Sequence, residues 1–289
     1  MSALERLDFP IVDTHLHVWD PARLRYPWLD QSELLNRPHL PADYNRACGP
    51  VRVEKMVFVQ AECEFAQYQA EADWVAELAA EDPRIEGIVS WAPLERGRAA
   101  RPELERLASN GLVRGIRRII QFEPDPEFCL RTDFVEGVRM LAEFGMSFDI
   151  CITHHHLPNT VELVRRCPNV RFILDHIGKP DIKHHVLDPW RGHVRKLASM
   201  GNVWCKMSGL VTEADHRQWT PDDLRPYIDH VLDAFGWHRV MFGGDWPVVC
   251  QAAEYVRWVE VLLEAVAGST AEELRRLFRE NAIAFYRLG

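Results

Sequence analysis

The chain alternates between short apolar runs and longer amphipathic ones. The apolar runs begin near residues 11, 55, 85, 112, 147, 170, 202 and 239. They are too short for helices and read as buried strands over 55–60, 85–91, 112–120, 147–152, 170–174, 202–207 and 239–242, with the first starting at Ile11. Between them apolar residues recur at three and four, as at Phe65, Tyr68, Ala72, Val75, Ala76 and Ala79, which is the helical period. Helices are expected over 65–80, 102–108, 134–144, 160–167, 190–200 and 222–235, and two more close the chain. The last carries a capping box, Thr270 with Glu273 three residues on, and runs to about residue 287. Residues 18–50 break the alternation. Asp20-Pro21, Tyr26-Pro27, Arg37-Pro38 and Leu40-Pro41 exclude a long helix there, so this stretch is expected to be a long loop acting as a lid or binding loop.

Eight strand–helix units imply a parallel sheet covered by helices, closed into a (β/α)₈ barrel. The competing open, doubly wound sheet usually has fewer strands and a G-x-G-x-x-G loop after the first, and no such loop occurs. No linker or repeat divides the chain, so residues 1–289 are expected to form a single domain. Composition narrows the function. The 289 residues are 47% hydrophobic and 27% charged, as in ordinary globular proteins. A net charge of −9 argues against a nucleic-acid partner. No apolar run approaches the ~18 residues of a membrane span, and no signal-peptide pattern opens the chain. Seven cysteines with no C-x-x-C spacing read as reduced thiols in a cytoplasmic protein. Nothing in the pattern specifies an oligomeric state.

Catalytic groups of such barrels sit at the C-terminal ends of the strands. Those ends carry His15 and His17, then Gln60 and Glu62, Trp91, Arg117 and Arg118, His154 and His156, His176, Lys206 and Ser208, and Asp245 with Trp246. His15 and His17 share a face if the strand alternates regularly, and two adjacent imidazoles can bind a metal or polarise a carbonyl.

The pair in Val12-Asp13-Thr14-His15-Leu16-His17, with Asp245 after the last strand, resembles the amidohydrolase superfamily. Tyr26-Pro27-Trp28-Leu29, Val59-Gln60-Ala61, Gly115-Ile116-Arg117, the run 174–180, Lys206-Met207-Ser208-Gly209 and Phe242-Gly243-Gly244-Asp245-Trp246-Pro247 are similar to its lactonase branch, of the L-fuconolactonase type. The resemblance implies hydrolysis of a small sugar lactone to its aldonic acid, with Asp245 activating water. His15, His17 and His176 then either hold one Zn²⁺ with Asp245 or hydrogen-bond the carbonyl directly, without metal. Superfamily members with two metals bridge them with a carboxylated lysine after the fourth strand. Arg117 and Arg118 stand there instead, so one ion at most is expected. Substrate contacts are assigned to Arg117, Glu62, Trp28 and Trp246, with Trp91 a further flat face. His154 is taken in preference to His156, on the expectation of extended chain. Lys206 and Ser208 are assigned to sugar hydroxyls. A pyrone or cyclic-carboxylate hydrolase, a decarboxylase, and a non-catalytic sugar-binding barrel are the alternatives. A dicarboxylate substrate would call for several inward arginines, and one is placed.

Overall fold

The computed structural model describes residues 3–289. Eight parallel strands follow one another in sequence order around a barrel. They are β1 (Ile11–Leu16), β2 (Val53–Val59), β3 (Ile85–Ser90), β4 (Val113–Ile116), β5 (Ser147–Ile150), β6 (Arg171–Leu174), β7 (Val203–Met207) and β8 (Val240–Phe242). The ring closes where Thr14 Oγ1 donates to Phe242 O at 2.6 Å and Asp245 N donates to His15 O at 2.7 Å. A parallel bridge between Leu16 and Trp246 continues that seam.

The covering helices are α1 (Pro41–Cys48), α2 (Tyr68–Glu81), α3 (Arg101–Ser109), α4 (Thr132–Met140), α5 (Leu157–Arg166), α6 (Trp190–Ala198), α7 (Leu210–Glu213), α8 (Pro221–Phe235), α9 (Tyr255–Ala265), α10 (Ala271–Arg275) and α11 (Asn281–Tyr286). Both faces of the strands are covered, which is why they read as unbroken apolar runs. The larger core lies between strands and helices. A second cluster fills the barrel itself, with Val12, Val57, Val59, Val89, Ile173 and Met241 packed on Phe285 and Tyr286 of α11. That helix plugs one end of the barrel, and the other end is left to polar side chains.

Local departures have local causes. The 18–50 segment contains α1, because Pro41 sits at the first helical position, where its missing N–H costs nothing, and Asp43 accepts from Leu40 N at 2.9 Å. The expected strand 112–120 stops pairing at Ile116. The expected closing helix is interrupted by a π turn, Arg276–Glu280, between α10 and α11.

Candidate active site

The histidine pair reaches the barrel mouth through a bulge. Val12 points into the barrel, so strict alternation would send His15 outward. Four residues of β1, Asp13 to Leu16, face three of β2, Met56 to Phe58, and the extra residue reverses the parity. His15 and His17 then lie with ring centroids 5.0 Å apart. Asp13 faces the other way and fixes the β8 loop. Its carboxylate accepts from Gly244 N at 2.7 Å, His15 N at 3.0 Å and the Tyr44 and Tyr255 hydroxyls at 2.8 and 3.0 Å. Gly244 is required there, since a Cβ would fall 2.3 Å from the Tyr255 ring and 2.4 Å from Asp13 Oδ2. The next residue, Asp245, takes a left-handed backbone with φ 54°. His176 arrives differently. Ile173 and Asp175 share the inward parity, and a left-handed turn through His176 and Ile177 (φ 51° and 50°) folds the imidazole back toward the barrel axis.

These groups meet around one carboxylate. His17 Nε2 lies 3.5 Å and His15 Nε2 3.7 Å from Asp245 Oδ1, and His176 Nδ1 lies 3.9 Å from Asp245 Oδ2. The neighbours dictate tautomers. His17 Nδ1 is 2.7 Å from Val59 O, which can only accept, so the proton is on Nδ1 and Nε2 offers a lone pair. Arg117 Nη1, a donor, is 3.2 Å from His15 Nε2, which therefore also offers a lone pair. In its neutral form His17 cannot donate to an oxyanion through Nε2. His15, His17 and Asp245 each offer one ligand atom within 4.8 Å of the others, a set that suits a cation once His15 Nε2 is released from Arg117. Imidazole nitrogen and carboxylate oxygen are the donors zinc takes, so the chemistry of the set fits one Zn²⁺.

Beneath the site lies a buried charge cluster. Lys206 Nζ is 2.7 Å from Asp149 Oδ2 and 3.0 Å from Asp175 Oδ1, all three side chains fully buried. Tyr286 OH donates to Asp149 Oδ2 at 2.7 Å. Asp175 also faces His15 Nδ1 at 3.5 Å and Arg117 Nη1 at 3.6 Å. Burial works to neutralise Lys206, but the two carboxylates outweigh it and hold its pKa above the ordinary value. Burial, then the Lys206 charge, pushes His15 well below the usual imidazole range. Burial likewise lowers His17, and burial with His15 lowers His176. At neutral pH these rings are neutral, as metal ligands must be.

A cavity of about 580 Å³ opens above this floor, lined by His17, Trp28, Glu62, Arg117, Cys151, His176, Lys179, Glu213 and Asp245 among others. Five sequence expectations need correction. Lys206 is fully buried below the floor, held by its two carboxylates, and does not face the cavity. Trp246 packs edge-on against His39 and Tyr44, away from the cavity. Residues His154–His156 form a 3-10 turn rather than extended chain, so alternation does not apply, and His154 Nδ1 is tied to Lys179 O at 3.0 Å outside the cavity lining. Trp91 is buried beneath Phe65 and Tyr68. Ser208, expected to meet sugar hydroxyls, is fully buried outside the cavity lining and bonds His176 Nδ1 at 3.0 Å. Asp149, Asp175, Lys179 and Glu213 had drawn no role from the sequence. For the first two the signal was parity with inward Ser147 and Ile173; for Lys179 and Glu213, on irregular turns, there was none.

The profile of the Amidohydrolase family matches residues 12–288. An L-fucono-1,5-lactonase of Burkholderia multivorans is 34% identical over 278 residues, covering 89% of this chain and 91% of that protein. An L-fucono-1,5-lactonase of Burkholderia ambifaria is 29% identical over 286 residues, covering 96% and 95%. The solved structure of an amidohydrolase from Burkholderia multivorans with bound zinc superposes with a TM-score of 0.87 at 32% identity, over 97% of this chain and all of that one (100%).

Proposed function

This chain belongs to the amidohydrolase family, and from that premise we propose that it hydrolyses a small sugar lactone to the open aldonic acid. The observation that carries the reading is the approach of three neutral imidazoles to Asp245 on the floor of a cavity, within 3.5–3.9 Å of its carboxylate. The named activity of the two lactonase relatives supports the choice of lactone over other esters.

In this mechanism the lactone carbonyl lies over Arg117, whose guanidinium already borders the floor. Asp245 takes a proton as water adds to the carbonyl carbon, and Arg117 donates to the oxygen that gains charge. The tetrahedral adduct then expels the ring oxygen. The carbon–oxygen bond breaks, and the proton held by Asp245 passes to the leaving alkoxide, so the carboxylate is regenerated. His17 Nε2, as a lone-pair donor, orients the water beside Asp245, while His15 Nε2 holds the Arg117 guanidinium in place. The same donors with Asp245 would hold at most one divalent ion, with His176 beside them. When bound, zinc would polarise the carbonyl and lower the pKa of a bound water toward ~7.

The test is hydrolysis of L-fucono-1,5-lactone and D-glucono-1,5-lactone, followed by acid release. Asp245→Asn nearly preserves shape but removes the base, so the rate is expected to fall by about 10²–10⁴ with the fold intact by circular dichroism. A folded Asp245→Asn that hydrolysed lactone at the native rate would remove the aspartate from the chemistry.

A further inference from the structure

The cavity has two unlike walls. One carries exposed aromatic faces on the loops after β1, β2 and β4, which also bring Glu62, Glu64, Arg117 and Gln121 into the lining. Trp28, Phe65 and Phe122 line it with 38%, 60% and 74% of their surface exposed. These are three of the five large apolar side chains that stand exposed among the described residues, so exposure is concentrated at this mouth. Two of the three are held in place. Trp28 Nε1 donates to Ala61 O at 2.8 Å, and Phe65 stacks on Trp91 with centroids 5.1 Å apart. The opposite wall, from the loops after β6 and β7, is polar, with Lys179 Nζ 3.9 Å from Glu213 Oε1.

We propose that the lactone taken here carries an apolar substituent, aromatic or alkyl, seated against Trp28, Phe65 and Phe122. The inference rests on the lactonase reading and deepens it. A lactone hydroxylated on every side would press hydroxyls against these three aromatic faces, where they lose water and gain no partner. A ligand with hydroxyls on one edge and an apolar group on the other satisfies both walls. The volume agrees. About 580 Å³ falls among cavities of ~300–1,000 Å³ that enclose drug-sized ligands, and a bare sugar ring leaves much of it unfilled. Large exposed apolar surface gathered at a cleft, rather than scattered, marks a contact that water does not complete.

The experiment compares kcat/KM for D-glucono-1,5-lactone with that for its 6-O-benzyl ether. The wild-type enzyme is expected to favour the ether by roughly tenfold or more, the worth of one buried ring face. Phe122→Ser and Phe65→Ser should each cut the ether's kcat/KM more than the parent's and bring the ratio toward unity. Val186→Ser, exposed but outside the cavity lining, serves as the surface control and should leave the ratio as it is. Equal wild-type kcat/KM for the two lactones, or hydrolysis of the parent alone, overturns this inference and leaves the lactonase reading standing. Hydrolysis of neither overturns both.

Discussion

Lys206 carries its charge where no solvent reaches it, and its two carboxylate partners are equally buried. Removing one member of such a cluster leaves the others uncompensated, at a cost of about 3–5 kcal/mol. Lys206→Met keeps the bulk but strands Asp149 and Asp175, so its urea midpoint should drop by that equivalent. The ammonium lies below the floor, so KM for the lactone should change little in whatever fraction stays folded. A raised KM with native stability would instead put Lys206 in contact with substrate. His15 gives the complementary lesson. It lies between Asp175, Lys206 and Arg117, and two of these three are cations, which keeps the ring neutral with its Nε2 lone pair turned to Arg117.

The link between α2 and the end of β2 depends on another buried carboxyl. Glu71 on α2 accepts from Ala61 N at 3.2 Å and so fixes the turn that carries Glu62 into the cavity. Burial raises its pKa to about 8. The folded protein thus holds a proton that the unfolded chain has released above about pH 4.5. Between those values the native state binds more protons, so stability falls as pH rises, by roughly 1.4 kcal/mol per pH unit from this group. Glu71→Gln keeps the acceptor and cannot ionise. Unfolding free energies measured from pH 5 to pH 8 should therefore decline less steeply in the variant, which gains on wild type toward the alkaline end. Parallel curves for the two proteins would mean that Glu71 titrates normally. The lowered histidines act with the opposite sign. The unfolded chain takes up protons at their ordinary pKa near 6.5 while the folded rings do not, so their contribution is lost as pH falls below that value.

At the scale of the molecule, the barrel is closed chemically at one end and sterically at the other. Phe285 and Tyr286 of α11 fill the interior opposite the site, and the Tyr286 hydroxyl ties that plug to Asp149 in the charge cluster. Phe285→Ala should cost about 3–5 kcal/mol by opening a cavity in this plug. Thermal unfolding measures it as a lower midpoint. Lactone hydrolysis well below that midpoint should stay near native, because the side chain lies at the far end from Asp245. A variant with native stability would show that α11 does not hold the barrel shut.

The eight strand–helix units were legible from hydrophobic period alone, because strands buried on both faces leave uninterrupted apolar runs and covering helices leave a stripe. The strand ends were legible as a set of polar residues, and Asp245, His15, His17, His176, Arg117 and Glu62 could all be picked from it. Which of the set face one another was decided by backbone geometry that has no local signature. The bulge in β1 turns His15 inward against strict alternation. The left-handed turn after β6 brings His176 back to the axis, and the 3-10 turn at 154–156 takes His154 away from it. Lys206 shows the same limit. Its inward direction follows from the strand period, but whether it meets substrate or two buried carboxylates depends on Asp149 of β5 and Asp175 just past the end of β6. Periodicity is a property of neighbours along the chain and survives in the sequence. Pairing across the barrel is a property of register and tilt, and exists only once the ring has closed.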